Sequence, residues 1–219
     1  MNASTCMLLR NFIIGFVLVG ATSAFAAEPA VIGNAKRGAT AAAACQACHG
    51  AKGEGNPASG FPRLAGQQAD YLVKQLNDYV SGARSHPVMS PLAKTLSAQQ
   101  RADVAAYYAA LSPPFLAPTQ AADVKRLARG RLLAATGDES KQLQACANCH
   151  GPEGSGEAFA APYLAGQSSA YLSSAIAEWK SGARKNDGGQ LMTVVAGRLD
   201  DQDIAAVAAY FESLGDGAH

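Results

Sequence analysis

Two pentapeptides in this chain pair thiols with an imidazole at one fixed spacing: Cys45-Gln46-Ala47-Cys48-His49 and Cys146-Ala147-Asn148-Cys149-His150. On a helix, positions i, i+3 and i+4 share a face, so within each copy both sulfurs and the imidazole point the same way. That arrangement suits covalent capture of a porphyrin. Two thioethers form to the vinyl groups on one edge, and the imidazole sits over the ring at the iron. C-x-x-C-H is the attachment pattern of haem c. A single copy would also fit a redox dithiol or half of a zinc site. Two copies, each followed by Gly and a Gly-rich turn, favour two haems. A structural zinc site wants four N or S ligands. Each copy offers three, and only the first half has a further nearby candidate, His86.

The cysteines agree with export. Arg10 precedes the apolar run Phe12 to Ala21, and Ala24-Phe25-Ala26 is an A-x-A cleavage signal, so residues 1–26 read as a signal peptide cleaved after Ala26. The alternative is a retained anchor, but the run is shorter than the roughly 20 residues of a spanning helix, and Thr22 and Ser23 interrupt it. Cys6 leaves with the signal. The four cysteines that remain all lie in the two motifs, which leaves none for a structural disulfide.

The same cleavage removes Met1 and Met7 and leaves Met89 and Met192, one per half. Each stands seven residues before a matching leucine, Leu96 or Leu199. Methionine is often core filler, but filler has no reason to recur once per half at the same place. With His49 and His150 as first axial ligands, Met89 and Met192 are the candidate second ligands, since Met/His is a known haem c pair. His86 rivals Met89, but the second half has no counterpart to it. His219 is terminal and reads as solvated.

The elements that position these residues repeat. Pro62-Arg63-Leu64-Ala65-Gly66-Gln67 returns as Pro162-Tyr163-Leu164-Ala165-Gly166-Gln167, and Ser81-Gly82-Ala83-Arg84 as Ser181-Gly182-Ala183-Arg184. Tyr71-Leu72 returns as Tyr171-Leu172, and Val104, Tyr107, Tyr108 and Leu111 return as Val207, Tyr210, Phe211 and Leu214. In the first half, Asn34 reads as the N-cap of a helix that runs into the motif. The apolar spacing predicts a helix from Gln68 to about Val80. Ser97-Ala98-Gln99-Gln100 is a capping box opening a last helix. His86 to Pro91 reads as irregular, and Arg63 as either a surface residue or a partner of a haem carboxylate. The second half inserts nine residues before its motif, and the piece from Thr136 to Gln142 reads as a polar surface loop. No convincing strand is present. The fold is therefore all-α: two small domains, 27–112 and 120–219, joined by the Pro-rich linker 113–119, each wrapped around one haem that supplies core a domain this size lacks.

At 48% apolar and 16% charged the chain is not a disordered one, and no nucleic-acid partner is expected. Residues 27–117 hold eight Lys+Arg against five Asp+Glu, a formal +3, while residues 118–219 hold nine against twelve, a formal −3. These are either scattered solvated charges or a dipole that favours the reduced iron in the first half.

In sum the chain resembles the tandem dihaem class I cytochromes c, the cytochrome c-four group. Both C-x-x-C-H-G motifs, Phe61 to Gln67, His86-Pro87-Val88-Met89-Ser90-Pro91 and the insertion before Cys146 carry the resemblance. It implies two cytochrome c folds about an approximate two-fold axis, His/Met ligation and periplasmic electron transfer without catalysis by the chain. The implied donor is a quinol–cytochrome c reductase and the implied acceptor a terminal haem–copper oxidase, with the protein soluble or peripherally attached to the membrane. One departure is Leu191-Met192-Thr193, a single Met where the group leads one to expect Met-Met. Two other readings share the motifs: the cytochrome subunit of a dehydrogenase or flavoprotein, and a dihaem peroxidase, which would need one displaceable ligand.

Overall fold

A computed structural model describes residues 31–112, 114–118, 123–156 and 161–215. The signal peptide, its cleavage site, Cys6 and His219 lie outside the described residues. The first half carries α1 (Ala35–Ala41), α2 (Ala43–His49), α3 (Ala69–Ser81), α4 (Met89–Lys94) and α5 (Ala98–Ala109). The second carries α6 (Val124–Ala135), α7 (Ala147–His150), α8 (Ser169–Ser181), α9 (Leu191–Arg198) and α10 (Asp201–Ser213). Among the described residues there is no sheet, only two isolated bridges, Asn56 to Phe61 and Asp138 to Leu143. The fold of the described residues is all-α, with a set of five α-helices in each half of the chain.

Each domain is framed by its first and last long helices, α1 on α5 and α6 on α10. An Arg-Gly pair in each half, Arg37-Gly38 and Arg129-Gly130, explains how they cross. A Cβ on Gly38 would lie 2.0 Å from the Asp103 carbonyl oxygen, and one on Gly130 would lie 2.1 Å from that of Ala206, so only glycine lets the backbones meet. The preceding arginine then locks the crossing. The Arg37 Nε donates to Asp103 at 2.8 Å, and the Arg129 Nε to Asp203 at 2.8 Å. Both aspartates are buried, and the Arg37 guanidinium is the main reason the Asp103 carboxyl is held down at about 2.

Local signals act as their chemistry predicts. The Asn34 side chain accepts from the Arg37 N–H, and Ser97 and Gln100 form the reciprocal capping box. Gly82 and Gly182 end α3 and α8 in the left-handed region, at φ 86° and 73°. Three expectations change. The helix leading into the first motif breaks at Ala42, giving α1 and α2. The stretch after His86 is not wholly irregular, because α4 begins at Met89. Pro91 is tolerated there since it falls in the first turn, where no intrahelical N–H bond is needed. The insertion is exposed in part but is tied down. Leu143 is buried, Asp138 pairs with Arg129 at 2.8 Å, and Lys141 reaches both Asp200 and Asp203.

Candidate cofactor site

The two motifs sit on α2 and α7, and in each the helical turn brings the thiols and the imidazole to one face. His150 N–H donates to the Cys146 carbonyl at 2.9 Å, closing that turn. None of the four cysteines is in a disulfide. Burial raises the Cys45 thiol above its usual range and pushes Cys146 up to about 11. Among the described residues no group of three or more His, Cys, Asp or Glu converges as a metal cluster.

His49 and His150 are buried, and each places Nδ1 against a backbone carbonyl: Pro62 O at 2.8 Å and Pro162 O at 2.9 Å. A carbonyl only accepts, so Nδ1 carries the proton and Nε2 is left bare, the tautomer that ligates a metal. Burial lowers the proton affinity of both imidazoles, more than the carbonyl contact restores it, so both stay neutral. Each proline is thus the orienting partner of its histidine, a role not recognised in the repeat Pro62/Pro162 from sequence.

One cavity of about 1130 Å³ runs between the domains and is lined by both motifs, by Met89 and Met192, and by apolar residues such as Leu72, Leu172 and Val207. This volume lies just above the roughly 300–1,000 Å³ typical of small-ligand pockets. Met89 opens α4 and Met192 lies in the first turn of α9, and both methionines line the cavity that the histidines line. His86 also lines it, but its Nδ1 accepts from the Val88 and Met89 N–H groups at 3.2 Å each, capping α4.

Where the halves meet, the repeat landmarks do further work. The Gln167 amide accepts from Arg63 N–H at 3.0 Å and donates to Arg63 O at 3.0 Å. Gln67 does the same to Tyr163, at 2.9 and 3.0 Å. Arg84 reaches the Tyr171 hydroxyl at 3.4 Å and Arg184 the Tyr71 hydroxyl at 3.3 Å. This reciprocity gives the pair its approximate two-fold relation. Arg63 is neither a surface residue nor aimed at the cavity alone. It is buried, donates to Pro114 O at 3.1 Å and stacks over Phe115 of the linker at 4.1 Å. Arg84 and Arg184 are buried on the cavity wall, and among the described residues their one ion pair is the contact of Arg84 with Glu178 at 3.9 Å. Two buried cations so placed fit the carboxylate edge of a porphyrin.

The cytochrome c family model matches residues 35–112 and 128–215. The chain belongs to the cytochrome c family. It is 48% identical over 174 residues, 77% of each chain, to a protein of Thiomonas intermedia named thiosulfate dehydrogenase electron acceptor. The reduced recombinant cytochrome c4 from Pseudomonas stutzeri superposes with a TM-score of 0.76 at 34% identity, covering 83% of this chain and 99% of that one. The thiosulfate dehydrogenase of Marichromatium purpuratum superposes with a TM-score of 0.74 at 43% identity, covering 81% of this chain and 40% of that one. Within the family the chain falls in the tandem dihaem cytochrome c4 group. It is a dihaem electron carrier whose two haem c groups are covalently attached at the motifs of Cys45/Cys48 and Cys146/Cys149. Carriers of this family are in general not enzymes. Among the described residues no helix is long and apolar enough to cross a membrane.

Proposed function

We propose that His49 with Met89, and His150 with Met192, are the axial pairs of the two haems, held in domains 27–112 and 120–219 on either side of linker 113–119. The observation that carries this reading is the pair of buried histidines, each fixed by a proline carbonyl with Nε2 bare, on one cavity with one methionine per domain. The bound haems supply reversible one-electron chemistry. The chain buries them, fixes both ligands and tunes their potentials. Thioether sulfur favours reduced iron over a second imidazole, which suits a carrier feeding an oxidase.

Cleaved after Ala26, the protein works in the periplasm. It takes electrons from a dehydrogenase that oxidises thiosulfate and passes them to a terminal haem–copper oxidase. The names of the Thiomonas and Marichromatium proteins support that donor. A second reading, with a quinol–cytochrome c reductase as donor, rests on the likeness to cytochrome c4. Rapid mixing separates them. Oxidised holoprotein is expected to be reduced at both haems by a thiosulfate dehydrogenase supplied with thiosulfate, and the reduced form to be reoxidised by the oxidase. Reduction by the quinol reductase alone would replace the first donor with the second.

A further inference from the structure

One hydroxyl distinguishes the two haem sites where their backbones coincide. Tyr108 on α5 and Phe211 on α10 hold the same place. The Gly66 N–H donates to the Tyr108 carbonyl at 3.0 Å, and the Gly166 N–H to that of Phe211 at 2.7 Å. Both rings wedge against the glycine of the turn after the motif. A Cβ on Gly53 would lie 2.6 Å from Tyr108 Cδ1, and one on Gly154 would lie 2.8 Å from Phe211 Cε1. Both rings also line the cavity. Tyr108 is only 1% exposed, yet its hydroxyl meets no hydrogen-bond partner within the protein. Buried hydroxyls are rarely left unpaired. Beside it lies Cys45, which packs against the core cluster that holds Tyr108 and lines the same cavity. In the working protein the Cys45 sulfur is a thioether. It has lost its proton and only accepts, so the hydroxyl is the donor.

We propose that the Tyr108 hydroxyl donates to the Cys45 thioether sulfur and thereby raises the potential of the first haem, an interaction the second haem lacks because Phe211 has no hydroxyl. The proposal rests on haem attachment at Cys45. A donor at the sulfur draws electron density from the porphyrin edge and so favours reduced iron, the lever being a hydrogen bond around the cofactor. Tyr108 acts through the linkage and is a positioning residue, not a catalytic one.

The test is spectroelectrochemical titration of holoprotein carrying Tyr108→Phe or Phe211→Tyr, with haem count by mass. Tyr108→Phe is expected to keep two covalent haems and to lower one of the two redox waves. At fixed ambient potential the reduced-to-oxidised ratio of that haem should fall about threefold, the scale of a modest net hydrogen bond. That is about 30 mV for one electron. Phe211→Tyr is expected to raise the other wave by a similar factor. Two haems with both waves unmoved in Tyr108→Phe would overturn the proposal. Should that variant fail to mature, an unmoved pair of waves in Phe211→Tyr would overturn it equally. Fewer than two haems in the unaltered protein would instead refute attachment itself.

Discussion

Met89→Ala is expected to turn half of the haem signal high-spin and open it to carbon monoxide, while the other half stays low-spin. Met89 is the first residue of α4, and its truncation leaves the first haem without a sulfur ligand. His86, the rival nitrogen, has its Nδ1 engaged by the first N–H groups of the turn that opens α4. Met192→Ala is expected to do the reverse, and the double variant to open both haems. Carbon monoxide binding should rise from none to one per chain in each single variant. His86→Ala is the control. It removes a helix cap, and both haems should remain low-spin. Loss of low-spin character in that variant, with Met89→Ala silent, would transfer the ligand role to His86.

A chain made without haem is expected to lack cooperative folding. The two cores flank the cavity rather than each other's interior, and that of the first domain is thin: Ala42, Leu72, Val104, Ala105 and Tyr108 are its buried members. An apolar cavity kept dry costs about 24 cal/mol per Å³. Keeping even a third of about 1130 Å³ dry would therefore cost about 9 kcal/mol. Whole domains are stable by only about 5–15 kcal/mol. Water in the cavity would instead wet its apolar walls. The bound porphyrin removes both costs, and its stabilisation of the native state is linked directly to folding. Circular dichroism and denaturant titration of a chain expressed in the reducing cytoplasm check this. A sharp two-state transition in that apo-protein would count against it.

What could be read from sequence was local or repeated. The motif spacing and the Asn34 and Ser97 caps each act within a few residues, and both caps appear in the fold. What escaped depends on contacts about a hundred residues apart. Gln67 and Gln167 look like loop residues until each is seen bonded to the other domain's backbone, and Arg63 looks like a surface cation until Phe115 lies beneath it. Pro62 and Pro162 were visible as repeat landmarks, but only the fold brings their carbonyls to the imidazoles. His86 to Pro91 reads as irregular from sequence, whereas α4 starts at Met89 and takes Pro91 in its first turn. The repeat itself carries part of the interface: Gln67 and Gln167, Tyr71 and Tyr171, and Arg84 and Arg184 recur in both halves and bond across it. Gln75, Asp78 and Asn186 pair there without a repeat to mark them.

The central claim, one His/Met haem c per domain working as an electron carrier, meets its most direct test in a spectroscopic redox titration of purified holoprotein. Two covalent haems should be present, both low-spin in the resting protein and inert to carbon monoxide. They should titrate as two one-electron waves, with a thioether–iron signature for each. A single wave of one electron per chain, or a resting protein that binds carbon monoxide or lacks the thioether signature, would contradict it.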